Sequence, residues 1–104
     1  HFSKSYFVYI TCNHPRGVLY VGMTSDLAGR SWEHHHRVMP GFTRKYWADR
    51  IVYFEEHDDA VIAARRERAM KRWRRDWKIR LVEEFNPSWR DLYQDIIAAA
   101  GYEP

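Results

Sequence analysis

Residues 7–30, Phe7-Val8-Tyr9-Ile10-Thr11-Cys12-Asn13-His14-Pro15-Arg16-Gly17-Val18-Leu19-Tyr20-Val21-Gly22-Met23-Thr24-Ser25-Asp26-Leu27-Ala28-Gly29-Arg30, decide the fold. Tyr6–Ile10 and Val18–Val21 are rich in aromatic and β-branched residues, which suit a pleated, half-buried surface and predict two strands. Cys12 to Gly17 carries the Asn, Pro and Gly of a loop, so the strands should form a hairpin. Pairing Cys12 with Gly17 sets Tyr9 opposite Tyr20. Opposed residues of an antiparallel pair share a face, so two phenol hydroxyls would stand side by side. Thr24-Ser25-Asp26 then offers caps for a helix from Asp26 to about Arg37. Arg30 falls one turn into it, looking back toward the tyrosines, and Asp26 and Arg30 form a favourable i,i+4 pair.

Outward from this stretch, Ile51–Glu55 is a third β-rich run. Asp59 caps a helix to Trp73 whose apolar positions are Ile62, Ala63, Ala69, Met70 and Trp73. Another helix runs from Asp76 to Phe85, with Trp77, Leu81, Val82 and Phe85 inward, and Asn86-Pro87 stops it. Ser88-Trp89-Arg90-Asp91 reads as a capping box with Asp in the glutamate's place, opening a last helix through Ile97. The pattern is α+β: a small three-stranded antiparallel sheet flanked by helices, one domain over 5–97 and a C-terminal tail over 98–104.

Composition agrees. A chain of 104 residues at 45% hydrophobic and 16% aromatic can bury a core, and disorder is excluded. One cysteine, Cys12, excludes an internal disulfide and suits a reducing compartment. No apolar run reaches the length of a membrane span, and the expected place is the cytoplasm. The net charge of +3 is too small to name a partner, but Arg65 to Arg80 holds nine Lys or Arg against Glu67 and Asp76.

The motifs resemble those of the GIY-YIG endonucleases, closest to small stand-alone members related to the nuclease domain of the excinuclease C subunit. Phe7-Val8-Tyr9 and Tyr20-Val21-Gly22 stand for the two signature triplets, eleven residues apart from Tyr to Tyr, with Phe7 replacing the first glycine. Arg30, eight residues past Gly22, matches the helix arginine, and Glu67 matches the metal-binding glutamate. The similarity spans about Ser5 to Ile96. It implies a metal-dependent endonuclease that cuts phosphodiesters in DNA, selective for some strand form or structure, in repair or processing. One divalent cation, Mg2+ or Mn2+, is implied on Glu67, with no small-molecule cofactor, no membrane, and a repair-complex partner or homodimer as the company it would keep. The other class consistent with the fold is a non-catalytic nucleic-acid-binding or repair-complex helper domain.

Each residue carries a plainer alternative. Tyr9 and Tyr20 are also ordinary strand tyrosines, with a phenol pKa of about 10 that must be lowered by a cation or another base before it accepts a proton near neutrality. The resemblance places Tyr9 as the base, with Tyr20 holding the phosphate or the water. Arg30 either pairs with Asp26 or provides the bidentate charge that a phosphate needs. Glu67, on the apolar stripe, either meets Arg66 or a neighbour or holds a divalent ion. His34 shares the Arg30 face and would orient a tyrosine or touch the phosphate. His35 and His36 lie ~100° apart on the helix and should face solvent, so the run is no metal cluster. Gly22, Arg44, Lys45, Lys71 and Asn86 are the expected substrate contacts. Asn86 is equally a polar helix stop, and the Arg65–Arg80 tract is equally a solvated face. Trp73 and Trp77 are better explained as core than as base-stacking platforms.

Overall fold

Tyr6–Cys12 (β1) is the middle strand of the sheet, and everything else is placed by what packs on its two faces. A computed structural model of the chain describes residues 4–38 and 47–101. Leu19–Thr24 (β2) and Arg50–His57 (β3) flank β1, giving the order β2-β1-β3, both pairings antiparallel. The helices are Leu27–His35 (α1), Ala60–Arg72 (α2), Arg75–Phe85 (α3) and Tyr93–Ala99 (α4). This is the α+β architecture expected, a three-stranded antiparallel sheet with helices about it. Among the described residues no helix is long and apolar enough to cross a membrane.

Alternation along β1 sends Val8, Ile10 and Cys12 to one face and Tyr9 and Thr11 to the other. All five are fully buried, because both faces are covered. Ala63 and Met70 of α2 and Val82 of α3 close the first face; Leu27 and Ala28 of α1 and Ile96 of α4 close the second. The buried face of α1 is Leu27, Ala28, Ser31 and His34, and Trp32 is exposed. A bulge keeps β3 in phase. Ile10 pairs with Tyr53 but Thr11 with Ile51, so Val52 is the extra residue and joins Tyr53 on the α2 face. Asn86 ties these layers together: its Nδ2 donates to the Val52 and Arg90 carbonyls at 3.1 and 2.9 Å, and its Oδ1 accepts from Arg90 N at 3.3 Å.

Several expectations are corrected. The hairpin register differs by two residues: Cys12 faces Leu19, Thr11 faces Tyr20, and Tyr9 faces Gly22. The cause is Asn13, whose Oδ1 accepts from both His14 N and Val18 N and closes a wider loop than a Cys12–Gly17 pair would allow. On α2 only Ala63 and Met70 are buried, two turns apart, and Ile62 and Ala69 are exposed. Trp77 is 48% exposed and so is not core. The capping box is absent. Asp91 Oδ1 instead accepts from Tyr93 N, and Leu92 stands at the helix start with its N–H on the Ile51 carbonyl. Trp89 takes a left-handed backbone (φ 57°) that buries its indole and lets Nε1 donate to Glu83.

Candidate active site

The turn after β2 places α1. Asp26 N donates to Thr24 Oγ1 at 2.9 Å, and Asp26 Oδ1 accepts from Gly29 N at 3.0 Å as the helix cap. Held so, α1 runs back across the second sheet face and lays Arg30 and His34, one turn apart, against Tyr9. The Tyr9 ring in turn lies across Gly22. A Cβ built on Gly22 would come within 2.5 Å of both Cζ and Oη of Tyr9. Gly22 has no left-handed φ, so the glycine is required there by space alone.

Tyr9 and His34 form the inner part of the site. Tyr9 is 0% and His34 1% exposed, their rings meet edge to face at 5.5 Å, and Tyr9 Oη lies 3.3 Å from His34 Nε2. Burial pushes the phenol up to about 12; the Arg30 guanidinium opposes this by charge and by hydrogen bonding, while Tyr20 and Glu33 add to it. Burial, then the Arg30 charge, lowers His34 to about 4, with the main chain at Ala48 and the Asp49 carboxylate opposing. Both groups are therefore neutral at pH 7. His34 Nδ1 has no hydrogen-bond partner of good geometry among the described residues. Assigning the imidazole proton to Nδ1 leaves Nε2 to accept from the Tyr9 hydroxyl.

The outer part is reachable from solvent. Arg30, with a third of its side chain exposed, pairs with Glu33 at 3.1 Å rather than with Asp26, whose carboxylate is taken by the cap. Tyr20 is half-buried on β2, an edge strand, diagonal to Tyr9 on the same face. Glu67 projects from the flank of α2. It pairs with Lys71 at 3.4 Å, and the Lys71 ammonium stands 5.9 Å from the Tyr20 ring centroid. Because α2 covers the opposite sheet face, Lys71 approaches Tyr20 around the edge of β2 and Glu67 stands behind it as its ion-pair partner. Arg66 is not the partner of Glu67; it forks onto Glu55 at 2.9 and 3.1 Å.

Of the residues singled out in the sequence, Tyr9, Tyr20, Gly22, Arg30 and His34 come together, with Lys71 by the Tyr20 ring and Glu67 paired to Lys71. Gly22 is buried, and what it meets is the Tyr9 ring. Asn86 is buried with its amide spent on the backbone of Val52 and Arg90. Arg44 and Lys45 lie outside the described residues. His35 and His36 are exposed, the first stacked on Tyr93 and the second on Trp32. Glu33 is a further residue of the site, and its place on the Arg30 face, three residues on, is the sequence signal for it.

Among the described residues, a divalent cation would have to be held with few protein ligands. Among the described residues no group of three or more His, Cys, Asp or Glu could form a protein cage. Glu67, 24% exposed, offers a single carboxylate whose present neighbour is another cation, Lys71. That donor set suits an ion such as Mg2+, which keeps waters and takes phosphate oxygens beside one carboxylate.

Compared with known proteins, the chain matches the family model of the GIY-YIG catalytic domain over residues 5–80. No curated protein and no solved structure matches it.

Proposed function

The chain belongs to the GIY-YIG family, and on that premise we propose that it is an endonuclease hydrolysing phosphodiester bonds in DNA, in repair or processing, with one divalent cation. The observation that carries this is the convergence of Tyr9, Tyr20, Arg30 and His34 on one sheet face, with Lys71, the ion-pair partner of Glu67, standing by the Tyr20 ring at the edge of β2. A pure binding module has no use for an arginine braced on a buried phenol.

The roles follow from reach and charge. Arg30 has a third of its side chain in solvent, so its guanidinium can take the non-bridging oxygens as charge grows on them. Tyr9 and His34 hold it from behind. A phenol that keeps its proton to about 12 and is wholly buried does not meet a water from solvent. Tyr20 does, so Tyr20, as the phenolate once its own proton has passed to solvent, is the tyrosine that takes the proton of the attacking water, a change from the sequence-based expectation. The water oxygen bonds to phosphorus opposite the 3′ oxygen, whose bond to phosphorus breaks; the leaving oxygen is then protonated from solvent. A divalent cation held by Glu67 would supply the positive charge that neutralises the phosphate and lets nearby water and hydroxyls give up protons. Lys71 adds a second, mobile cation beside it.

The test is incubation of the purified chain with Mg2+ or Mn2+ and plasmid, single-stranded and branched DNA. Cleavage is expected, with Arg30→Ala slower by about 10²–10³ at a nearly unchanged melting temperature. If no DNA is cut with either ion, the binding-module reading replaces this one.

A further inference from the structure

The region outside the site that carries most is where α2 gives way to α3. Trp77, 48% exposed, meets Trp73 edge to face at 6.1 Å. With Arg80, Leu81 and Glu84 the two indoles line an open cleft of about 250 Å3. One face of Trp73 is already covered by the Arg66 guanidinium at 4.9 Å, so Trp77 is the ring left to a ligand. Arg80 in the cleft wall and three arginines of α2, the last of them next in sequence to Trp73, are cations with nothing to do in the fold. Arg65, Arg68, Arg72 and Arg80 are all exposed and have no ion-pair or hydrogen-bond partner among the described residues. Their neighbours are committed elsewhere: Arg66 to Glu55, Lys71 to Glu67, Arg74 to Asp76, and Arg75 to the carbonyls of Arg16 and Gly17.

Arg65, Arg68 and Arg72, at spacings of three and four, form one stripe along α2. Arg68 and Arg72 each follow directly on Glu67 and Lys71, so this stripe borders theirs on the helix surface. It therefore forms a path of positive charge from the edge of β2 over α2 to the tryptophan cleft. The width to be crossed is that of one helix with its side chains, about 10–12 Å.

We infer that this path binds single-stranded DNA, its phosphates on Arg65, Arg68 and Arg72 and an unpaired base stacked on Trp77 beside Arg80. The inference rests on the nuclease reading and deepens it by naming the strand form the protein holds next to its site. Charge alone would suit a duplex equally. The half-bare indole decides, because a paired base is already stacked on both sides whereas an unpaired one gains by stacking on tryptophan. Glu84 is the one carboxylate among the described lining residues and disfavours a phosphate in the cleft itself, consistent with a base rather than backbone occupying it.

Binding is measured by fluorescence anisotropy in chelator, without cleavage, on an oligothymidylate strand and on a blunt duplex. Trp77→Ala should weaken the single strand by about 5- to 100-fold and leave the duplex within about threefold. Trp77→Tyr should restore most of the loss. Replacing Arg65, Arg68 and Arg72 together by Gln should lower the log–log salt slope on the single strand by about 2. Unchanged single-strand affinity in Trp77→Ala, or an equal loss on the duplex, overturns the inference. Binding of an RNA of the same length more than tenfold tighter overturns DNA as the occupant. Since no step needs catalysis, a chain that binds in this way and cuts nothing sinks the nuclease reading alone. One that cuts while Trp77→Ala binds normally sinks only the docking surface.

Discussion

Gly22→Ala asks for one methyl group where the site has no room. In a strand interior that does not need a left-handed backbone, Gly to Ala is ordinarily favourable by about 0.5–1 kcal/mol. Here the new Cβ would sit 2.5 Å from Tyr9 Cζ and Oη, and ordinary contact begins near 3.4 Å, so the ring must move by about 0.9 Å. Tyr9 is 0% exposed, with His34 at its hydroxyl and Leu27 and Ile51 in its cluster, and it has no solvent to move into. Overpacking of this kind costs about 1–3 kcal/mol, and loss of the 3.3 Å Tyr9–His34 bond about 1 more. The same displacement carries away the support of Arg30, and misplacing a catalytic group by about 1 Å costs about 10²-fold in rate. Urea unfolding should therefore show a loss of about 2–4 kcal/mol, and single-turnover cleavage a drop of about two orders of magnitude. Tyr9→Leu combined with Gly22→Ala should be less destabilised than the sum of the two, while remaining inactive. A Gly22→Ala protein as stable as wild type or more so, cutting within threefold of its rate, refutes the packing argument.

Three further outcomes follow from the same geometry. His34 takes up its proton near pH 4 in the fold but near 6.5 when unfolded. The unfolded state thus binds the extra proton first as pH falls, and stability should drop by roughly 2–3 kcal/mol between pH 7 and 4. Urea midpoints across that range should show this for wild type and a shallower fall for His34→Gln; equal slopes would mean that His34 does not titrate this way. Glu67→Gln should stay folded, lose ion-dependent cleavage, and lose the Mg2+-induced NMR shifts that wild type shows around residue 67; shifts persisting in the variant would place the ion elsewhere. Asn86→Ala should cost about 2–4 kcal/mol, since it strands backbone groups of Val52 and Arg90, with the rate per folded molecule within threefold of wild type. A full-stability variant with collapsed activity would instead make Asn86 a substrate contact.

What could be read ahead of the structure divides by the range of the interaction that sets it. The face shared by Tyr9 and Tyr20 was legible because a register slip of two residues keeps every side chain on its side of the sheet. The slip itself was not legible, because it turns on Asn13 Oδ1 accepting from Val18 N across the loop. Yet the slip is what brings Gly22, rather than Tyr20, under the Tyr9 ring and gives the second triplet's glycine a steric task. Arg30 and His34 were legible as one helix face, one turn apart. Which partner each would take was not, since Asp26 can cap or pair and does the first.

The other half of the site depends on how α2 crosses the sheet, and no local pattern encodes a crossing angle. Apolar spacing on α2 is satisfied by Ile62, Ala63, Ala69, Met70 and Trp73 together, but contact with the sheet buries only Ala63 and Met70. With so narrow a contact, the positions beside it become flanks rather than core, and each flank acquires its own task. One carries Arg66 to Glu55 and onto the Trp73 ring; the other carries Lys71 to Tyr20 with Glu67 paired to it. Glu67 was expected to be costly because it was placed on a buried stripe. On the flank it is paired and part-exposed, and a carboxylate so placed is available to a cation without a large desolvation penalty. Trp77, on α3, is likewise left half exposed. A domain of this size that used its full apolar complement for packing would have neither an accessible glutamate nor a bare indole beside its basic stripe.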